Sequence, residues 1–253
     1  MRKYVNLIAF AVIVALCSCS TQKADFVALT SAADSCYMAG DYVGASDYYG
    51  QALLCEEVQP YNYFNAACYA AKAEEYDLAF KRLNTILKKY PDWYSRDIEK
   101  DQDLQILHTD PRWAKFAQAV MERKVRIEAG YEHPLYDQLM AIMDEDQTIR
   151  NAYIQAYYAE DSAKDSLLQL MLQTDTIHMQ FVDSVIAARG WVGKDEIGDG
   201  VYGIWFVVQH YGGDKWLEYL PLFKEAVVKG DLDQYHVDAT EMYIQEYLKN
   251  DNE

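Results

Sequence analysis

Between Phe26 and Pro91 one pattern of residue sizes occurs twice, at an offset of 34 residues. With Phe26 as the first position, small residues fall at Ala33, Ala45 and Ala52, and Gly40 stands where one helix would stop and the next begin. Shifting by the same offset puts Pro60 first, Ala67 opposite Ala33, Ala79 opposite Ala45 and Tyr76 opposite Tyr42. Large residues match too, Leu83 taking the place of Tyr49, and Pro91 falls near the end of the second unit. Two differences stand out: Glu74 occupies the turn position held by Gly40, and Ile86 replaces the last small residue, Ala52. A Pro is harmless at the start of a helix, because the first turn has no use for its N–H. A Gly ends a helix, and Ala at a crossing lets two helices approach closely. The pattern therefore predicts two tandem helical hairpins.

The run Gly40-Asp41-Tyr42-x-x-Ala45, with its counterpart in the second unit, resembles the tetratricopeptide repeat. Two such repeats do not bury their own faces and need a cap. Asp103-Leu104, Leu107, Asp110-Pro111-Arg112-Trp113 and Phe116 resemble the segment that commonly closes short arrays of this kind. A short helix is expected over 92–100, a break at 101–104, and a helix opened by Asp110 as N-cap with Pro111 in its first turn. That helix should run through Trp113, Phe116 and Val120 toward Val125. The hairpin region with its cap is thus expected over 24–128.

The start of the chain reads as an export signal over 1–18. Arg2 and Lys3 are basic, Val5 to Leu16 is apolar but for Asn6, and the run is too short to span a bilayer. Leu16-Cys17-Ser18-Cys19 resembles a bacterial lipobox, which implies lipidation of Cys19 and a short tether over 19–23. The expected place is the periplasmic or cell-surface side, anchored in a membrane, the outer membrane above all; several acyl chains are enough to hold a soluble domain there.

Hydrophobic residues make up 51% of the 253, and only 12 Gly and 5 Pro interrupt them, which favours long helices and an all-α fold. The formal net charge of -17 repels phosphate backbones and argues against nucleic acid as a partner. A clamp for acidic carboxylate tails needs basic residues on the first helix, and 26–39 has none. Tyr37, Tyr61, Tyr63 and Tyr69 are instead candidates to line a groove for a protein or peptide. Aromatic rings also suit sugar faces, and large glycan-capturing lipoproteins use tetratricopeptide helices, so a glycan is the lesser alternative. Cys36, Cys55 and Cys68 read as buried thiols at small-residue positions, with a Cys55–Cys68 bridge as the other reading. No cysteine or histidine spacing suits a metal, and no cofactor motif occurs.

Beyond Ala129-Gly130 and Pro134 a second helical domain is expected over 134–249. Apolar spacings of three and four predict helices over 135–158, 165–173, 176–189, 216–229 and 231–249, with 201–211 as the central buried one. Asp146-Gln147-x-x-Arg150, Asp183, Gly190-Trp191, Gly198, Val207-Val208-Gln209-His210 and Leu220-Pro221-Leu222 resemble an uncharacterised bacterial domain family. Its members occur in secreted or lipidated proteins, and the resemblance carries no activity. Here Val192 stands where members have Pro, Tyr211-Gly212 where they have Ala-Asp, and a Tyr-Gly tail is missing; a site completed by that Asp or tail would be incomplete. Asp146 and Arg150 are i,i+4 on a helix and read first as a surface ion pair. The sharper reading is a polar cluster in which Gln147 and Arg150 face His210, with Asp146, Arg150 and His210 the weak catalytic candidates of a hydrolase; the C-terminal dipole of an apolar helix alone explains a His at 210.

Overall fold

The computed structural model describes residues 25–55 and 58–250. Cys19, and with it the expected signal and tether, lies outside them. The described residues form an all-α fold with no strand, in two compact units divided between Ile127 and Glu128. No described helix is long and apolar enough to cross a membrane.

In the first unit, helix α1 covers 25–38, α2 Tyr42–Ala52, α3 Pro60–Lys72 and α4 Tyr76–Lys89. Helix α3 packs on both α2 and α4, as hairpins in series require. The small residues singled out by the offset, Ala33, Ala45, Ala52, Ala67 and Ala79, are all fully buried. Ile86 is equally buried, in one cluster with Leu104, Leu107 and Trp113. At this position the second hairpin meets a cap made of larger side chains, and Ile fills space that Ala would leave empty.

The two turns are closed alike. The Asp41 N–H donates to the Cys36 carbonyl at 2.9 Å, and the Glu75 N–H to the Ala70 carbonyl at 2.8 Å. Gly40 reaches the required left-handed backbone at φ +79°, and Glu74 is driven into it at +62°. The substitution of Glu for Gly therefore leaves the turn intact and strains one residue. Arg82, buried on α4, ties the helices together: its guanidinium donates to the Ser46 hydroxyl and carbonyl and, at 2.6 Å, to the Ala66 carbonyl.

The cap departs from expectation over 92–100, which holds turns and a single 3₁₀ turn, Ile98–Lys100, rather than a short helix. Side chains of α5 (Pro111–Glu128) close the end of α4 just before this segment. Arg123 donates to the carbonyls of Leu87 and, at 2.7 Å, Tyr90, and Arg126 to that of Pro91 at 2.9 Å. A second 3₁₀ turn, Gln105–Thr109, brings Leu107 into the core. Asp110 caps α5 as expected, with its Oδ1 accepting the Arg112 N–H at 2.9 Å. Trp113, Phe116 and Val120 are buried, while Val125 is exposed.

The second unit comprises α6 (His133–Tyr158), α7 (Lys164–Arg189), the short α8 (Lys194–Ile197), α9 (Gly200–Tyr211), α10 (Asp214–Lys229) and α11 (Gln234–Asn250). Helix α9 is its centre, packing on α6, α7 and α10, with Val201, Ile204, Trp205, Val207 and Val208 buried. Gly203 allows the approach to α6: a Cβ there would lie 3.3 Å from the Leu139 carbonyl oxygen. Helix α7 corrects the expectation of two helices broken near 174. Thr174 and Thr176 return their hydroxyls to the carbonyls of Leu170 and Leu172, so the backbone stays helical through them. Asp231 does not start the last helix; it accepts the Trp191 indole N–H at 3.0 Å and the Lys194 N–H at 2.8 Å.

Candidate functional site

Three helices of the second unit converge on one polar cluster. Helix α6 supplies Asp146 and Arg150 one turn apart, the continuous α7 supplies Asp175, and the last turn of α9 supplies His210. Arg150 Nε donates to Asp146 Oδ1 at 3.0 Å, and its Nη2 to Asp175 Oδ1 at 2.5 Å. The third branch, Nη1, lies 3.2 Å from the Met171 sulfur. His210 Nδ1 is 2.9 Å from Asp146 Oδ2 and 3.0 Å from Arg150 Nε. Gln147 Nε2 donates to Asp146 Oδ2 at 2.9 Å. The next turn adds the buried His178, whose Nε2 is 3.1 Å from Glu145.

This is not the surface ion pair first expected of Asp146 and Arg150. Asp146 and Asp175 each keep only 7% of their surface exposed. Burial pushes the Asp146 carboxyl up, but His210 and Arg150 outweigh it and hold the group below the ordinary carboxylate range. Burial also pushes Asp175 up; there Arg150 opposes it but does not prevail, and Asp146 repels, so the carboxyl stands above its ordinary value despite the 2.5 Å contact. One cation between two carboxylates is fully committed to them.

The chemistry open to the cluster is that of His210. Its Nδ1 has two mutually exclusive roles: protonated, it donates to Asp146, and bare, it accepts from Arg150 Nε. With Asp146 fixing Nδ1, proton transfer falls to Nε2, the arrangement of a carboxylate-oriented general base. No serine, cysteine or threonine hydrogen-bonds to His210 among the described residues, so a base here would act on water or on a substrate directly. Asp183, from the same sequence resemblance, lies in another contact, accepting from Tyr219 Oη at 2.7 Å and Lys215 Nζ at 2.8 Å.

The sequence candidates for binding are divided. Tyr37 and Tyr69 stack with centroids 4.9 Å apart and remain half-exposed. Tyr63 is a core residue instead: its ring meets Tyr90, and its hydroxyl accepts from Lys89 Nζ at 2.7 Å. Tyr61 is exposed at the start of α3. A single groove lined by all four tyrosines is therefore not formed.

Cys36, Cys55 and Cys68 are all free thiols, without the Cys55–Cys68 bridge, and only Cys68 is buried. Cys68, Asp101 and Asp103 bring ligand atoms within 4.8 Å of one another. Asp101 Oδ1, however, already accepts the N–H groups of Asp103 and Leu104. Burial, reinforced by these two carboxylates, pushes the Cys68 thiol up and away from the thiolate that a metal needs. Two clefts are formed by described residues: one of about 380 Å³ is lined by Pro60, Lys89, Tyr90, Pro91, Asp92 and Trp93, and one of about 280 Å³ by Lys224, Glu225, Val228 and Lys229. Asp146, Arg150 and His210 line neither. No protein family, curated protein or solved structure matches the chain.

Proposed function

We propose that this chain is a membrane-anchored, extracytoplasmic interaction protein of the tetratricopeptide type, held by a lipid on Cys19, whose hairpins dock a protein or peptide. The observation that carries the docking role is the half-exposed Tyr37–Tyr69 stack on the leading helices of the two hairpins. Paired rings left partly open to water offer a large, rigid contact area at small entropic cost. Crosslinking in native membranes, followed by mass spectrometry, tests this directly. A partner recovered with the wild type and lost with Tyr69→Ala is the expected result; identical recovery from both chains contradicts it. The anchor has its own test: Cys19→Ala releases the protein from membranes or blocks its processing, and unchanged retention and mass would sink that part.

The Asp146–His210 contact supports a second reading, in which the second unit is an enzyme, a hydrolase in the first instance. Alanine at Asp146, Arg150 and His210 separates the readings. Three folded variants that fully rescue a deletion strain end the enzymatic one.

A further inference from the structure

We propose that the face made by α1, α3 and the start of α2 recognises a basic peptide segment, seating a lysine or arginine side chain against Tyr37, Tyr42 and Tyr69 beside Asp34 and Asp103, where Lys72 now lies. This rests on the docking role proposed above and names the chemistry of the partner.

The rings form a continuous strip. Tyr37 meets Tyr42 edge-on at 5.4 Å and stacks on Tyr69 at 4.9 Å. The strip is as long as roughly three residues of extended chain, more than an isolated amine occupies. Its hydroxyls do not point freely to water. Tyr69 Oη donates to Asp34 at 2.6 Å, and Tyr37 Oη to Asp103 at 2.7 Å. Each carboxylate has further lone pairs for an incoming cation. Stacking covers the faces that Tyr37 and Tyr69 turn to each other, so a cation would meet the outer edge of the strip and the Tyr42 face, where Lys72 lies.

A cation already sits there. The Lys72 ammonium lies 5.2 Å from the Tyr42 centroid and 3.9 Å from Asp103 Oδ1, at a distance that makes the ion pair loose. Its side chain is 33% exposed, and its four-carbon stem can swing out. Lys72 is the cation paired with Asp103 here, and Asp34 and Asp101 add two further carboxylates to the same group of contacts. Tyr37, Tyr69 and Cys68 are all raised, by burial first and by these carboxylates next, which keeps the three groups neutral beside them. The face is thus complementary in charge to a basic segment, and the internal lysine both marks the place and competes for it. The absence of basic residues from 26–39, which argues against a clamp for acidic tails, has the same sense.

The test uses full-length protein in detergent and three labelled peptides of ten residues: alternating Gly and Lys, the same peptide with acetylated lysines, and alternating Gly and Glu. Only the lysine peptide is expected to bind. Asp34→Asn with Asp103→Asn, which keeps both hydroxyl contacts, should weaken binding about tenfold with Tm unchanged. Asp195→Asn with Glu225→Gln removes equal charge from exposed sites in the second unit and should change little. Lys72→Met, or Lys72→Ala if the first folds poorly, should tighten binding several-fold. Equal weakening by both carboxylate pairs, binding of the acetylated peptide, no binding at all, or a Lys72 variant that binds no better overturns the proposal. The docking role fails separately, when native-membrane crosslinking recovers no partner dependent on Tyr69.

Discussion

Glu74 shows how much one backbone angle decides. Its left-handed φ of +62° is imposed by the same turn that Gly40 makes at +79° without steric cost. Glu74→Gly should therefore stabilise the first unit by about 0.5–1 kcal/mol, less than the full cost of the left-handed region because Gly also frees the unfolded chain. A urea denaturation midpoint that falls instead would show that the Glu74 side chain contributes more than its backbone costs. Asp146 allows a pH prediction. Its carboxyl is held below the ordinary value, so it contributes stability that is present above the unfolded-state value and is lost as pH falls through the folded one. Asp146→Asn should cost about 2–3 kcal/mol at neutral pH, and the gap from wild type should close on acidification. A gap that stays constant down to the acid limit would contradict this. Asp175 has the opposite sign: its raised value means that ionisation opposes folding as pH rises past the unfolded-state value.

At the scale of elements, the hairpins were legible because their signal is repeated: the same sizes at the same offset, with Gly40 and Pro60 as punctuation. The expected polar cluster of Asp146, Arg150 and His210 is also brought together, since one turn of helix sets the first two and the end of an apolar helix sets the third. Asp175 was missed for a definite reason. Thr174 and Thr176 look like helix breakers in sequence, yet their hydroxyls bond back to carbonyls four residues earlier and keep α7 intact. Reading a break there removed Asp175 from any helix face. The path of the chain after Pro91 depends on contacts that sequence spacing does not show: Arg123 and Arg126, more than thirty residues away, donate to the carbonyls of Tyr90 and Pro91. Tyr63 was misplaced because periodicity alone does not say which tyrosine a neighbouring lysine will cover. Packing of α9 on α6 supplies another test. Gly203→Leu places new atoms against the Leu139 carbonyl, which is backbone and cannot move aside, and should cost about 2–3 kcal/mol by thermal or urea unfolding. A neutral result would mean that the two helices separate easily.

For the whole molecule, each unit carries its own large buried cluster, and the first adds a smaller one of Ala33, Tyr49, Ala52 and Ala66. Of the large clusters, one is centred on Leu83, Ile86, Leu107 and Trp113, the other on Leu139, Ile204, Val208 and Phe223. The first unit is built from repeated hairpins with a partly buried aromatic strip; the second adds to its apolar core a buried charge cluster of Asp146, Arg150 and Asp175. The proposed docking role belongs to the first unit, and the second holds the polar cluster of Asp146, Arg150 and His210. The most direct test puts a photo-crosslinking amino acid at Tyr69 in native membranes and identifies what it captures. A partner crosslinked through a lysine- or arginine-rich segment is expected, with capture reduced by the Asp34→Asn and Asp103→Asn pair. Capture that ignores those carboxylates, or none from Tyr69 while a probe at Val228 succeeds, would contradict it.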